Sequence, residues 1–183
     1  MKMKIIICHY EQNLTWINEL KHEYIVYNKN PINNGKYHID LPNVGFDTIA
    51  YLSYIIDNYY DLPDYVCFSQ DNPFFHCASF LNIVNNFNFD KEFVPLGRVY
   101  ERGGEVLDRT INLCKKHDIA YKLPIKFINS AQCIVSRNLI KKRDIDQYEK
   151  IKSLLPTYEV KNETNYMVEY LWPTILNFNE ELI

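Results

Sequence analysis

Three carboxylates far apart in this 183-residue chain carry the chemistry: Asp71 and Glu169 could take a proton, Asp71 could hold a cation, and Asp47 could serve a helix start or a bound ligand. Asp47 closes the word Asn43-Val44-Gly45-Phe46-Asp47 just ahead of an apolar helical stripe. There Asn43 can cap the helix, Gly45 can let backbone N–H groups approach a ligand, and a carboxylate in the first turn suits the helix dipole or a site. Asp71 ends the run Tyr65-Val66-Cys67-Phe68-Ser69-Gln70, where a strand must leave its sheet. His9-Tyr10-Glu11 stands at the same point after Lys4–Cys8. Each is either a plain strand end or a ligand contact, because open α/β sheets bind ligands at that edge. Glu169, among Tyr166, Leu171 and Trp172, is either solvated or raised in pKa by apolar neighbours and suited to proton transfer. Arg98 and Arg102, on a glycine-bearing loop, could grip a diphosphate through their forked guanidinium groups or stay in water. His76 is a packed or capping residue, or a site residue. No Gly-x-Ser-x-Gly elbow and no Cys-x-x-Cys pair occurs, so nucleophilic serine chemistry and zinc have no local signal.

The elements that must position these groups alternate. Lys4–Cys8 and Tyr65–Phe68 read as inner parallel strands, and Tyr24–Tyr27 as a second strand. Ile49, Leu52, Ile55, Ile56 and Tyr59 form one helical stripe. Asn13 can cap a helix through Trp16, Ile17 and Leu20, and a polar loop runs from Asn28 to Pro42. Pro73 opens a helix reaching Val84, Phe93–Leu96 is extended, and Glu105–Lys116 is an amphipathic helix. Ile125–Ile128 and Gln132–Val135 read as a strand pair joined at Asn129-Ser130-Ala131. Ile145–Leu155 is a helix stopped by Pro156, and Pro173 breaks a last helix over Asn165–Phe178 near Trp172. The order indicates an α/β fold in one domain, residues 1–183.

With 20 basic and 23 acidic residues, no global field favours nucleic acid or an anionic membrane. Five scattered cysteines in apolar surroundings indicate a reducing, cytoplasmic setting, and no apolar run is long enough to span a bilayer.

His9-Tyr10-Glu11 with Leu14 and Trp16, Tyr27-Asn28-Lys29, Leu41-Pro42-Asn43-Val44-Gly45, Leu62-Pro63-Asp64 and Phe68-Ser69-Gln70 resemble, in order, the uncharacterised family called domain of unknown function 3431. The likeness continues through Pro73, His76, Ala131-Gln132, Val135-Ser136-Arg137 and Glu169-Tyr170-Leu171-Trp172-Pro173. The chain departs from it at Phe46-Asp47, where that family more often has Arg-Glu. The family resembles a compact, single-domain glycosyltransferase A fold, Rossmann-like, with a mainly parallel sheet flanked by helices. The Asn-x-Gly-x-Asp word is also similar to one in rhamnan-synthesis-type glycosyltransferases. The resemblance implies transfer of a sugar from a nucleotide-diphosphate donor, UDP- or GDP-linked, to a hydroxyl of a glycan or glycoconjugate. It assigns His9, Tyr10, Lys29, Asn43, Gly45, Asp47, Gln70 and Arg98 to the donor, and His76 and Gln132 to the acceptor. Asp71 then stands where an Asp-x-Asp motif would hold Mn²⁺ or Mg²⁺, with a single carboxylate. A metal-independent route resembling core-2 type N-acetylglucosaminyltransferases is the other option, with Glu169 or Asp71 as base and Arg98, Arg102 or Arg137 facing the diphosphate. The alternative to catalysis is a silent nucleotide-sugar- or glycan-binding module of a glycan-building assembly. A nucleotidyl-transferring or sugar-modifying enzyme on the same sheet is a third reading.

Overall fold

The computed structural model describes residues 1–101, 103–155 and 163–177. Arg102, Pro156 and Phe178, to which the sequence reading gave roles, lie outside the described residues. In chain order the strands are β1 Met3–His9, β2 Glu23–Asn28, β3 Ile39–Asp40, β4 Tyr65–Gln70, β5 Phe93–Pro95, β6 Val99–Glu101, β7 Lys126–Ile128 and β8 Cys133–Ser136. The helices are α1 Thr48–Asn58, α2 Phe80–Asn85, α3 Gly104–Lys116, α4 Arg137–Ile140, α5 Ile145–Ser153, α6 Glu163–Tyr170 and α7 Trp172–Ile175.

Six strands form one mixed, mainly parallel sheet in the order β3-β2-β1-β4-β8-β5, and β6 pairs with β7 in a separate ribbon. β1 pairs in parallel with β2 and β4, and β2 with β3, whereas β8 runs antiparallel to both β4 and β5. The run Ile5-Ile6-Ile7 is fully buried because both faces of the sheet are covered. Ile6, Cys8, Val66 and Phe68 face a core with Tyr51, Leu52, Ile55, Tyr148 and Trp172. Ile5, Ile7, Tyr65 and Cys67 face the other, with Trp16, Phe80 and Val84. Strand alternation thus feeds two helical layers.

The chain moves outward from β1 through β2 to β3, then returns through α1 to β4 on the other side of β1. The strand order therefore reverses between β1 and β4, and the edge at their C-terminal ends is the topological switch point. Because α1 links the end of β3 to the start of β4, its N-terminus sits at that edge.

Several expected elements differ. The stretch after Pro73 is not one helix: a 3₁₀ turn at Pro73–Phe75 is separated from α2 by Cys77-Ala78-Ser79. Thr15–Glu19 is a 3₁₀ turn rather than an α-helix, with Asn13 Oδ1 accepting from Thr15 N at 2.8 Å. The polar loop from Asn28 contains β3, and the Arg98 loop contains β6. Ile125–Ile128 and Gln132–Val135 do not pair with each other. Ser130 (φ 62°) and Ala131 (φ 54°) take left-handed conformations between them, β7 joins β6, and β8 enters the main sheet. As expected, the last helix breaks at Leu171, between α6 and α7. No helix among the described residues is long and apolar enough to cross a membrane, and all five cysteines are free.

Candidate functional site

Register places Cys8 of β1 beside Gln70 of β4 and beside Tyr27 of β2, so His9, Lys29 and Asp71 all emerge next to one another. Asp47, the residue before the first turn of α1, closes the group from above. Its Oδ2 accepts a 2.6 Å hydrogen bond from Gln70 Nε2, and the Cys8 thiol lies close enough to interact with its carboxylate. Asp47 keeps some contact with solvent although protein surrounds it, and that burial pushes its carboxyl above the usual range, against the opposing pull of Gln70 and Lys29. Burial, reinforced by Asp47, likewise holds the Cys8 thiol well above its ordinary value, so Cys8 is a thiol here and not a thiolate.

Lys29 is buried, and its ammonium donates to Phe46 O at 2.5 Å, fixing the left-handed Phe46 (φ 48°) that precedes Asp47. Gln132, fully buried, accepts from Gln70 N at 3.2 Å and reaches Pro73 O at 3.4 Å, so it ties the end of β4 to the turn that carries His76. His76 is held below its ordinary pKa by partial burial, opposed by the field of Asp47, which puts it within electrostatic range of the same carboxylate. Phe46 packs on Tyr166 with ring centroids 4.8 Å apart, and this contact brings α6, the helix of Glu169, to the edge. Glu169 itself is partly exposed.

Asp71 is engaged differently from the metal ligand expected of it. Its Oδ2 accepts from the backbone N–H groups of Tyr10, Glu11 and Gln12 at 2.9, 3.2 and 3.1 Å, while Trp16 Nε1 donates to its carbonyl at 2.9 Å. His9 is 2 % exposed, and its Nδ1 lies 3.4 Å from the same Oδ2 without an aligned hydrogen bond. Burial lowers the His9 pKa despite Asp71, so the ring is neutral at pH 7. Among the described residues no three His, Cys, Asp or Glu side chains come together as a cation cage. Oδ2 of Asp71 is thus taken by backbone N–H groups, whereas Mg²⁺ at phosphate-handling sites usually draws on one or two carboxylates, water and the phosphates themselves.

The remaining expected residues fall elsewhere or act otherwise. Asn43 does not cap α1; the turn is closed by Thr48 Oγ1 donating to Gly45 O at 2.6 Å. Gly45 (φ +60°) is required by packing: a Cβ there would meet Leu155 Cδ1 at 2.7 Å and Ile49 Cβ at 3.2 Å. Arg98 is exposed beyond β5, its guanidinium 5.0 Å from the Tyr100 ring centroid, on the far flank of the edge. Arg137 sits at the opposite end of β4, donating to Leu62 O at 3.0 Å and to Asp64 Oδ1 at 3.1 Å, so it faces no ligand at the switch point. Sequence reasoning missed Cys8, which lies beside Asp47 although 39 positions away (47 minus 8), and Gln12, which acts through its backbone N–H group.

A cavity of about 610 Å³ lies towards the other end of the sheet, lined by residues that include Cys114, Tyr121, Lys142 and Arg143. Arg143, 6 % exposed, donates there to Ile175 O at 2.9 Å, Thr174 O at 3.2 Å and Ala120 O at 3.3 Å, which explains its burial as a clamp on the C-terminal end of α7.

Residues 5–90 match the family model described as protein of unknown function (DUF3431). That span runs from β1 to just beyond α2 and holds His9, Tyr10, Lys29, Asp47, Gln70, Asp71 and His76, whereas Arg98, Gln132 and Glu169 fall outside it. No curated protein and no solved structure matches the chain.

Proposed function

We propose that the edge where β1 and β4 end binds a nucleotide-diphosphate sugar, UDP- or GDP-linked, and that the chain transfers its sugar to a hydroxyl of a glycan or glycoconjugate. The observation that carries this reading is the convergence of His9, Tyr10, Lys29, Asp47, Gln70 and Asp71 on one edge at the switch point, with the turn that carries His76 tied to it through Gln132. The reaction class comes from the likeness of these residues to a glycosyltransferase A-like arrangement, and from the presence of a carboxylate suited to proton exchange.

On this reading Lys29 and the hydrogen-bonded pair Asp47–Gln70 orient the donor. One carboxylate takes the proton of the acceptor hydroxyl as the sugar–diphosphate bond breaks. Asp47 has the geometry for that proton, being partly open, hydrogen-bonded and raised in pKa, and Glu169 on α6 is its rival. His76 and Gln132 border the acceptor side. The donor set requires no resident metal in this scheme. The second reading, a binding module without turnover, draws on the engagement of Asp71 by backbone donors.

A thermal-shift screen of UDP- and GDP-sugars separates the outcomes, since a ligand of the native state raises the melting temperature by mass action. Donor binding followed by nucleoside-diphosphate release on adding glycan acceptors supports the enzyme. Binding without release supports the module, and no shift with any donor removes both. Loss of release in Asp47→Asn or in Glu169→Gln, with binding retained, identifies the base.

A further inference from the structure

The loop leaving β1 directs three successive backbone N–H groups, those of Tyr10, Glu11 and Gln12, at one atom, Asp71 Oδ2. Consecutive N–H groups in a turn make a concavity that binds anions, and this one lies at the switch point. A carboxylate oxygen offers about two lone-pair directions, so three N–H donors already exceed what it accepts well. His9 Nδ1 is then left over: it lies 3.4 Å from the same oxygen without an aligned hydrogen bond, and neither ring nitrogen of this 2 % exposed histidine has a hydrogen-bond partner. Buried polar atoms without partners are uncommon, and here the donors outnumber the acceptor they surround. A phosphoryl group, with three terminal oxygens spread around one centre, can distribute the same donors over separate atoms.

We propose that the turn at residues 9–12 is a phosphoryl-binding nest and that Asp71 is its internal placeholder, displaced when a diphosphate enters. The nest stands on the geometry; that the diphosphate belongs to a nucleotide sugar rests on the function proposed above. Displacement frees the Asp71 carboxylate, so the acid leaves the nest as the anion arrives and like charges are not stacked there. In the resting protein the tethered carboxylate competes with any anion, and affinity is reduced by the fraction of molecules with the nest vacated. Free phosphate and the donor's diphosphate share this chemistry and are told apart by the probes below.

The test is calorimetric titration of the full chain with inorganic pyrophosphate, orthophosphate and UDP. The comparison includes wild type, Asp71→Ala, Asp71→Asn and Glu11→Gln. Glu11→Gln removes an exposed charge from the same loop without emptying the nest. Pyrophosphate binding about tenfold tighter in Asp71→Ala, with a smaller gain in Asp71→Asn and less in Glu11→Gln, is the expected result. If Asp71→Ala does not fold, Asp71→Asn decides, because its amide oxygen can still occupy the turn but binds N–H groups more weakly than a carboxylate. Pyrophosphate affinity unchanged in Asp71→Asn, or raised no more than in Glu11→Gln, overturns the proposal and leaves Asp71 as a loop tether. A gain for pyrophosphate without one for orthophosphate points to a diphosphate, and the same gain for both to a single phosphoryl group; either supports the nest. Tightening for pyrophosphate while no UDP- or GDP-sugar binds any variant upholds the nest and removes the nucleotide-sugar reading.

Discussion

Replacing Gly45 with alanine tests whether that glycine serves packing, as the structure indicates, or ligand approach. At φ +60° an alanine pays a left-handed penalty of about 1–2 kcal/mol. The new Cβ would lie 2.7 Å from Leu155 Cδ1, 3.3 Å from Leu155 Cβ and 3.2 Å from Ile49 Cβ. Carbon atoms prefer about 3.5–4.0 Å, so the overlap approaches about 1 Å. Leu155 Cδ1 can rotate only within a buried core, and the two Cβ atoms cannot rotate at all, so overpacking adds about 1–3 kcal/mol. The expected loss is about 3 kcal/mol. Gly35 is the internal control, since it has φ +73° with nothing within 4 Å of its would-be Cβ and should lose only about 1 kcal/mol. The assay is urea unfolding, where a slope of about 2 kcal/mol/M puts the midpoint of Gly45→Ala about 1 M below that of Gly35→Ala. Adding Leu155→Ala to Gly45→Ala should cost less than the sum of the single changes, by about 1–2 kcal/mol. Equal midpoints for the two glycine variants, or strict additivity with Leu155→Ala, would refute the packing account.

Asp47 has a folded-state pKa raised by burial, so its native form binds a proton more readily than the unfolded chain does. Its contribution to stability is therefore present below the ordinary carboxylate range and is lost as pH rises through the raised value. Asp47→Asn should gain stability relative to wild type across that window, read as a difference in melting temperature scanned from pH 3 upwards (about the ordinary Asp range); a difference that does not change with pH contradicts it. Gln132→Leu leaves the Gln70 N–H without its acceptor and should lower stability by about 1–3 kcal/mol in denaturant unfolding, whereas a neutral effect would mean that this bond is idle. Arg143→Met removes donors to three backbone carbonyls and should cost about 3 kcal/mol, with amide hydrogen exchange accelerated first in α7; unchanged exchange there would remove its role as a clamp.

The inner strands and the α1 stripe were legible because burial on both faces leaves an unbroken β-branched run, and a one-sided helix leaves a periodic one. The two-residue β3 and three-residue β6 carry too few residues to show a period. β8 was misread as the partner of β7 because sequence favours the nearest strand, while its real partners, β4 and β5, are set by the left-handed turn at Ser130-Ala131. The C-terminal sheet edge was legible from strand ends, and there the Tyr10 backbone N–H meets Asp71 while Asp47 bonds to Gln70, the residue before it. What each does there was not. The bonds to Asp71 run from backbone N–H groups 59 to 61 positions away, and a backbone donor has no signature in residue type. The resemblance set Arg137 facing the diphosphate, but the direction of β8 carries it to the opposite end of the sheet.

The central claim is that an activated sugar is seated where β1 and β4 end, and backbone amide chemical-shift mapping of the full chain during titration with UDP, GDP and their sugars tests it most directly. The account predicts the largest shifts at His9–Gln12, Gly45–Thr48 and Gln70–Asn72. Shifts confined to Cys114–Tyr121 and Lys142–Gln147 around the distal cavity, or none with any nucleotide, would contradict it.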